Sequence, residues 1–555
     1  MEFRKLTASV AVASQISASD LPAIAAAGFR AIVCNRPDGE GPDQSGFREI
    51  EAAAREHGID ARYLPIESGK VGDADAARFG ELMQTLPAPV LAYCRTGMRA
   101  ATLWALAEAP NRTLPEIVAI GNAAGYDLTG LVQRIANGGK LPVDTAVASY
   151  DVVIVGAGAA GLATASSLLA RERGLDIAVI DPAGTHYYQP GWTMVGAGVF
   201  EPATTARDMA AVLPRGVHWI KAGVAAFEPR RSAVVLEGCR VVNYKALIVC
   251  PGLKLDWNAI EGLPETLGRN GVTSNYRYDL APYTWRLVRD LQAGRALFTQ
   301  PPMPIKCAGA PQKAMYLSAD HWRRAGRLEQ IDVEFFNAGA VLFGVADYVP
   351  ALMEYVKRYD IALNFGYNLS AIDGPGKRAI FSRAREDGSV ESVTRDFDMI
   401  HVVPPQTAPD FIRVSPLADK AGWVDVDPAT LRHKTYANVF ALGDVANTTN
   451  AKTAAAARKQ APAVAHNVLA GLGKVHGEAM YDGYGSCPLT VERGKIVLAE
   501  FLYGGKVAPT LPTWLIDGKR PSRLAWLLKE RILPPLYWQA MLKGHEWFAR
   551  PELTG

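Results

Sequence analysis

The stretch Asp151-Val-Val-Ile-Val-Gly-Ala-Gly-Ala-Ala-Gly161 decides the fold of this chain. Apolar, mostly β-branched residues run directly into Gly156, Gly158 and Gly161, and mostly small residues continue to Ala170. A second apolar run, Ile177-Ala-Val-Ile180, ends at Asp181. Strand, tight turn, helix, strand and acid in that order make a dinucleotide-binding βαβ unit. Gly156 permits the turn, Gly158 lets the backbone approach a pyrophosphate, and Gly161 lets helix and strand pack closely. The N–H groups at Ala159 and Ala160, where the helix starts, face the phosphates. Asp181 lies where a carboxylate accepts from a ribose hydroxyl. The fingerprint begins 150 residues into the chain, so a complete unit is expected ahead of it.

Working outward, 555 residues are too many for one core and imply about three to four domains. The net charge of +3 gives no reason to expect nucleic acid. Cys34, Cys94, Cys239, Cys250, Cys307 and Cys487 are spaced for neither a disulfide framework nor a zinc site, so no metal is expected. Reduced thiols in a cytoplasmic setting are the default. Met1-Glu-Phe-Arg-Lys-Leu does not read as a secretory signal, and no run of about 18 apolar residues spans a bilayer. The expected fold class is α/β. An N-terminal α/β domain at 1–138 and a linker at 139–149 precede two Rossmann-like domains at 150–475. A helical segment at 476–555 lies in the membrane interface. In that segment Trp514, Trp526, Trp538 and Trp547 stand among leucines, prolines and basic residues, which suits an interfacial helix pair as well as core packing.

A second fingerprint, Thr435-Tyr-Ala-Asn-Val-Phe-Ala-Leu-Gly-Asp444, is an apolar strand ending in Gly443-Asp444. It resembles the segment that lies beside the ribityl chain in two-dinucleotide-fold flavoproteins, which makes FAD the expected cofactor. His186-Tyr-Tyr-Gln-Pro-Gly-Trp-Thr-Met-Val-Gly-Ala-Gly198, Pro304-Ile-Lys-Cys-Ala-Gly-Ala-Pro-Gln-Lys-Ala-Met-Tyr316, Gly422-Trp-Val-Asp-Val426, Lys452-Thr-Ala-Ala-Ala456 and Tyr481-Asp-Gly-Tyr-Gly-Ser-Cys-Pro488 resemble the sulfide:quinone oxidoreductase family, mitochondrial-type branch. The resemblance covers about residues 150–550. It implies Gln189, Pro251, Gly252, Asp444 and Lys452 around the FAD. It also implies sulfide or a persulfide as reductant, a membrane quinone as oxidant, and a thiol such as glutathione as sulfur acceptor. The protein would then be peripheral on the inner face of the membrane, with homo-oligomers an open possibility. The loop after Cys307 lacks GxGxxG spacing, so no NAD(P)H site is expected.

The resemblance places Cys307 at the first redox-cysteine position, with Lys306 beside it favouring the thiolate. It also implies a second redox cysteine directly after Gly443-Asp444, where this chain has Val445. Cys307 is therefore expected to act without a partner thiol. Cys250 is a poor substitute toward the adenosine half, and Cys487 reads as structural.

In the N-terminal half, Tyr93-Cys-Arg-Thr-Gly-Met-Arg-Ala-Ala101 leaves a strand and opens a helix. Cys94 on such a loop sits in an anion cradle, with Arg95 and Arg99 as fork-shaped donors. The loop is one residue short of the CxxxxxR of tyrosine and dual-specificity phosphatases and resembles the persulfide loop of rhodanese sulfurtransferases. The domain, with Asn35-Arg-Pro-Asp-Gly39 and Ala124-Gly-Tyr-Asp-Leu128, resembles the phosphatase-like domain of beta-lactamase-hydrolase-like proteins. Two chemistries follow: sulfane-sulfur transfer on Cys94, or phosphate ester hydrolysis with Asp38 as the acid.

Overall fold

The computed structural model describes residues 3–41, 44–67, 70–141, 147–237, 240–385 and 387–554; Cys239 and linker residues 142–146 lie outside these. The chain forms two compact units. The first is Met1–Ser149 with Ala222–Asn243 and Asp410–Pro416; the second is Tyr150–Lys221, Tyr244–Pro409 and Leu417–Gly555.

In the first unit a five-stranded sheet runs Arg4–Lys5, Val10–Ala13, Val90–Tyr93, Ala31–Cys34, Asp60–Tyr63, parallel except at its first pair. The three central strands are buried on both faces, so they read as continuous apolar runs. Val12, Val33 and Ala92 pack with Phe79, Leu103 and Trp104, while Ala11, Ile32 and Leu91 pack with Ile24 and Ile50. Helices Leu21–Ala26, Phe47–Glu56, Asp73–Thr85 and Met98–Glu108 supply these partners. Val90–Tyr93 therefore delivers Cys94 to the end of a rigid strand and to the start of the helix at Met98.

In the second unit Val217–Ile220, Ile177–Ile180 and Ala148–Val155 are parallel neighbours, and Val439–Ala441 pairs in parallel with Leu247–Val249. A second parallel sheet orders Val272–Thr273, Met399–His401, Gly294–Gln300, Ile331–Asn337 and Ala362–Phe365. These are the two Rossmann-like sheets expected. An antiparallel hairpin, Gly485–Glu492 with Lys495–Phe501, lies against helix Ala310–Arg324.

The C-terminal segment differs from the expected helix pair. From Ser522, whose hydroxyl accepts from Leu524 and Ala525 N–H, one irregular helix runs to Gly544. It passes through π-turns at Leu528–Ile532 and Leu536–Ala540 on either side of Pro534-Pro535. Proline lacks the N–H that a regular turn needs, and a wider turn absorbs the loss. Trp526 and Trp538 are buried, while Trp514 is 83% and Trp547 61% exposed. Buried and exposed tryptophans therefore coexist in this segment. Among the described residues no helix is long and apolar enough to cross a membrane.

The close approach at the glycine turn sets a first prediction. A Cβ at Gly161 would lie 1.9 Å from the Gly156 carbonyl oxygen, against backbone that cannot yield cheaply. Gly161→Ala is expected to destabilise the second unit by roughly 1–3 kcal/mol, as overpacking does. A thermal-unfolding midpoint equal to the native one would show that helix and strand can part at no cost.

Candidate active site

The dinucleotide fingerprints meet in a cleft of about 650 Å³ in the second unit. Gly156 has φ +104°, and a Cβ there would lie 2.5 Å from the Cys250 carbonyl oxygen and 2.8 Å from Pro251 Cα. Gly158 precedes helix Ala159–Arg171, whose first turn opens on the cleft through Ala159 and Ala160. Asp181 accepts from Ala157 N–H at 2.7 Å and Ala183 N–H at 2.8 Å, which fixes its carboxylate at the cleft edge. A Cβ at Gly443 would lie 3.2 Å from Ala160 Cβ, so the two fingerprints touch. Gly252, Gln189, Asp444 and Lys452 also line the cleft. Burial pushes the Asp444 carboxyl up, opposed by the charges of Lys306 and Lys452, and burial pulls Lys452 down to about 8. Close backbone, a helix N-terminus and facing charges fit a dinucleotide of flavin size.

Cys307 lies at the head of the cleft in the left-handed region, φ +49°, an uncommon conformation for a residue with a side chain. Its N–H donates to Lys452 O at 2.8 Å, and its carbonyl accepts from Ala310 N–H at 2.7 Å and from the Tyr276 hydroxyl at 3.2 Å. The expectation that Cys307 has no partner thiol is corrected here. Cys487 stands within hydrogen-bonding reach of it, and a Cβ at Gly309 would lie 2.4 Å from the Cys487 sulfur. Cys487 comes from the hairpin, opposite Ala499, and is held over Cys307 because helix Ala310–Arg324 packs on that strand. Gly309 is the residue small enough to let the thiol in. Cys250 is sealed beneath the glycine turn, its thiol 3.6 Å from Gly156 O and pushed up by burial, and is no substitute.

The cation at Cys307 also differs from expectation. Lys306 turns away to Gln189 Oε1 at 2.6 Å, over the rings of Trp192 and Tyr276. Lys313, one and a half turns along and 3% exposed, places Nζ 3.2 Å from the Cys307 sulfur. The hydrogen bond from Cys487 holds the Cys307 thiol well below the usual range; burial opposes it, and Lys313 and Lys529 add to it. Cys487 moves up in consequence, through the same hydrogen bond and burial. Lys529, from the π-turn and 4% exposed, donates to Pro190 O at 3.4 Å. Burial, with the Lys313 charge beside it, pulls it down to about 7. Sequence reading missed Lys313 and Lys529. Lys313 is a polar position inside an otherwise buried run, which is the signal that marks such residues, whereas Lys529 lies among exposed and half-buried neighbours and gives no such signal.

In the first unit Cys94 is 1% exposed, and the Arg99 guanidinium reaches its thiol. Gly97 holds the loop at φ +86°, where a Cβ would collide with the Tyr126 hydroxyl at 2.1 Å. Arg99 donates to Ile66 O and to Glu40 Oε2, both at 2.7 Å. Buried Arg36 donates to the same Glu40 oxygen at 2.7 Å and to Gln15 Oε1 at 3.0 Å. Arg36 and Glu40 are site residues that sequence reading passed over. Arg95 is exposed, outside this network. Asp38 is exposed and spends its carboxylate on the Phe47 N–H at 2.9 Å, capping a helix.

Two Rossmann-like sheets and a paired-cysteine centre define a disulfide-type oxidoreductase, and residues 150–300 match the pyridine nucleotide-disulphide oxidoreductase family model. Residues 2–111 match the beta-lactamase hydrolase-like protein, phosphatase-like domain. The chain is 41% identical over 408 residues to the mitochondrial sulfide:quinone oxidoreductase of Dictyostelium discoideum, covering 72% of this chain and 88% of that protein. It belongs to the sulfide:quinone oxidoreductase family. The X-ray structure of the sulfide:quinone oxidoreductase from Aquifex aeolicus shares the fold, with a TM-score of 0.61 at 18% identity over 73% of this chain and 97% of that one. The first unit is 33% identical over 130 residues to a beta-lactamase hydrolase-like protein of Agrobacterium fabrum, 23% of this chain and 30% of that protein. Family membership carries a flavin cofactor with it.

The Lys313 contact sets the second prediction. In the reduced protein Lys313→Met removes a charge from beside the thiolate, so the pH midpoint for alkylation of Cys307 rises by roughly 1–3 units. Peptide-resolved iodoacetamide labelling reads it, and an unmoved midpoint would remove Lys313 from the account.

Proposed function

We propose that the second unit is an FAD-dependent oxidase of sulfide or a persulfide that delivers electrons to a membrane quinone, and that the first unit carries sulfane sulfur on Cys94. The observation that carries this is the pair formed by half-buried Cys307 and buried Cys487, with two buried lysines, at the end of the cofactor cleft. FAD would lie along Gly156, Gly158, Ala159, Ala160, Gly161, Asp181, Pro251 and Gly252 at its adenosine end, and along Gln189, Gly443, Asp444 and Lys452 toward the flavin. When bound it supplies the two-electron acceptor that a disulfide alone cannot replace.

Starting from a Cys307–Cys487 disulfide, hydrosulfide attacks the Cys487 sulfur. One S–S bond breaks as another forms, leaving a persulfide on Cys487 and a thiolate on Cys307. The direction follows from the leaving group, since the thiol with the lower pKa departs more readily. Hydrogen bonds from Lys313 hold the departing charge. An acceptor thiolate such as glutathione then takes the outer sulfur. The remaining pair of thiols is two electrons more reduced than the starting disulfide, and a flavin held in the adjoining cleft would supply the oxidant that restores it. Lys529, near neutrality in its proton affinity, is placed to take the proton of an incoming thiol or hydrogen sulfide.

On the first unit, Arg99 at the Cys94 thiol supports the terminal charge of a persulfide. The hydrogen bond from Arg99 holds the Glu40 carboxyl below its usual range, with burial opposing and Arg36 assisting, so Glu40 is a poor proton donor. Asp38 is committed to a helix end. This favours sulfur transfer, which needs no acid, over phosphate ester hydrolysis. The C-terminal segment, with Leu524, Leu527 and Ile532 39–47% exposed beside Trp514 and Trp547, suits peripheral attachment to a membrane from which the quinone enters.

Two outcomes are expected. The full-length protein binds one FAD per chain, and anaerobic sulfide bleaches it in native protein but not in Cys307→Ser or Cys487→Ser, which both retain the flavin. Bleaching at the native rate in either variant would contradict the pair mechanism. After treatment with glutathione persulfide, the peptide containing Cys94 gains the mass of one sulfur atom, and Cys94→Ser does not. Turnover of para-nitrophenyl phosphate that is lost in Cys94→Ser, without any sulfur adduct, would assign the first unit to phosphatase chemistry.

A further inference from the structure

The Gly485–Glu492/Lys495–Phe501 hairpin presents different chemistry on its two faces. Cys487, Leu489 and Ala499 face the core beneath helix Ala310–Arg324. Tyr484, just before the hairpin, and Ser486, Pro488, Leu498 and Glu500 line the cofactor cleft. Glu500 is 6% exposed on that second face, and a buried carboxylate is costly unless it is well bonded. It accepts from the Tyr484 hydroxyl and the Thr510 hydroxyl, each at 2.5 Å, and from Thr510 N–H at 3.2 Å. The two hydroxyls are 2.9 Å apart, and either can be the donor.

On the far side of Tyr484 and Thr510 lies another cavity of about 1340 Å³, lined also by Lys459, Asp482 and the chain from Gly544 to Leu553. Glu500 lines the cofactor cleft and not the outer cavity, while Tyr484 and Thr510 line both spaces. Asp482 is exposed and accepts from Tyr484 N–H at 3.0 Å, and Lys459 Nζ lies 5.3 Å from the centre of the Tyr484 ring. Arg458 and Glu552 complete the charges around this wall, and the Tyr348 hydroxyl holds the backbone of Glu500.

We propose that Glu500, with the Tyr484 and Thr510 hydroxyls, is a proton path from the outer cavity to the quinone. This rests on the quinone reading given above. Reduction of a quinone to a quinol takes two electrons, which a bound flavin would supply, and two protons, which electron transfer alone does not bring. Glu500 gives a proton to a quinone oxygen and becomes the carboxylate. A hydroxyl of the pair passes it another proton and is itself reloaded from water in the outer cavity, past Asp482 and Lys459. The cycle runs twice for each quinol, and sulfur chemistry on the opposite face of the hairpin is not disturbed by it.

The test uses FAD-loaded full-length protein, reduced anaerobically with stoichiometric dithionite and mixed with decylubiquinone. In Glu500→Gln, reoxidation slows by about a hundredfold, the scale of a lost general acid. Proton uptake reported by an indicator dye slows with it, and Glu500→Asp recovers part of both. Thr510→Val keeps the carboxylate and shows a smaller loss with a shifted pH profile. Quinone affinity of the oxidised protein, read by tryptophan quenching, stays native in each variant. Variants that reoxidise at the native rate with the native pH profile would overturn the path while leaving the quinone reading intact. Native reduced protein that decylubiquinone fails to reoxidise would overturn both.

Discussion

The contact between the buried Lys313 ammonium and the Cys307 sulfur is the constraint around which the second unit is arranged. A lysine removed from water needs a compensating charge, and a thiolate removed from water needs the same. Each finds it in the other only because helix Ala310–Arg324 begins at the cofactor cleft and runs beneath the hairpin that carries Cys487. The charge of Cys307 holds Lys313 above its usual range even though burial pulls it down. Lys529, close by and without so near a partner, yields to burial instead. Two lysines of one kind are thus set to two tasks by their surroundings: one to hold a charge, the other to exchange a proton.

The dinucleotide turn was legible because its physics is local. Glycine spacing, small residues and an acid after the second strand all act within one βαβ unit, and Gly156 to Asp181 sit as that pattern requires. The Ala31–Cys34 and Val90–Tyr93 strands were legible for the same reason, as short apolar runs between turns. The Cys307 partner was not legible. It is fixed by hairpin register, by packing of a helix on that hairpin and by the missing side chain at Gly309, none of which adjacent residues reveal. A resemblance pointed to position 445 instead, where a buried valine stands. Lys313 was hidden similarly, because one polar residue in a buried helix announces importance but not its partner.

In the first unit the cysteine loop was legible, and the network that tunes it was not. Arg36 and Glu40 lie four residues apart on one loop, and Arg99, from a distant part of the chain, meets them only once the parallel sheet forms. Glu40 fixes the Arg99 guanidinium at one edge while Ile66 O fixes it at another, so the cradle is held rigid before any anion arrives. Asp38, the acid that the phosphatase resemblance suggested, caps a helix instead. Where a carboxylate is spent decides what a thiol loop of this kind can do.

The central claim is that Cys307 and Cys487 are one redox unit. Its most direct measurement is a non-reducing peptide map of the oxidised full-length protein, before and after one equivalent of anaerobic sulfide with the FAD content recorded. The account predicts a Cys307–Cys487 linked peptide that separates on treatment, with the added sulfur on the Cys487 peptide. Free thiols at both positions in the oxidised protein, with sulfide still reducing the flavin, would contradict it.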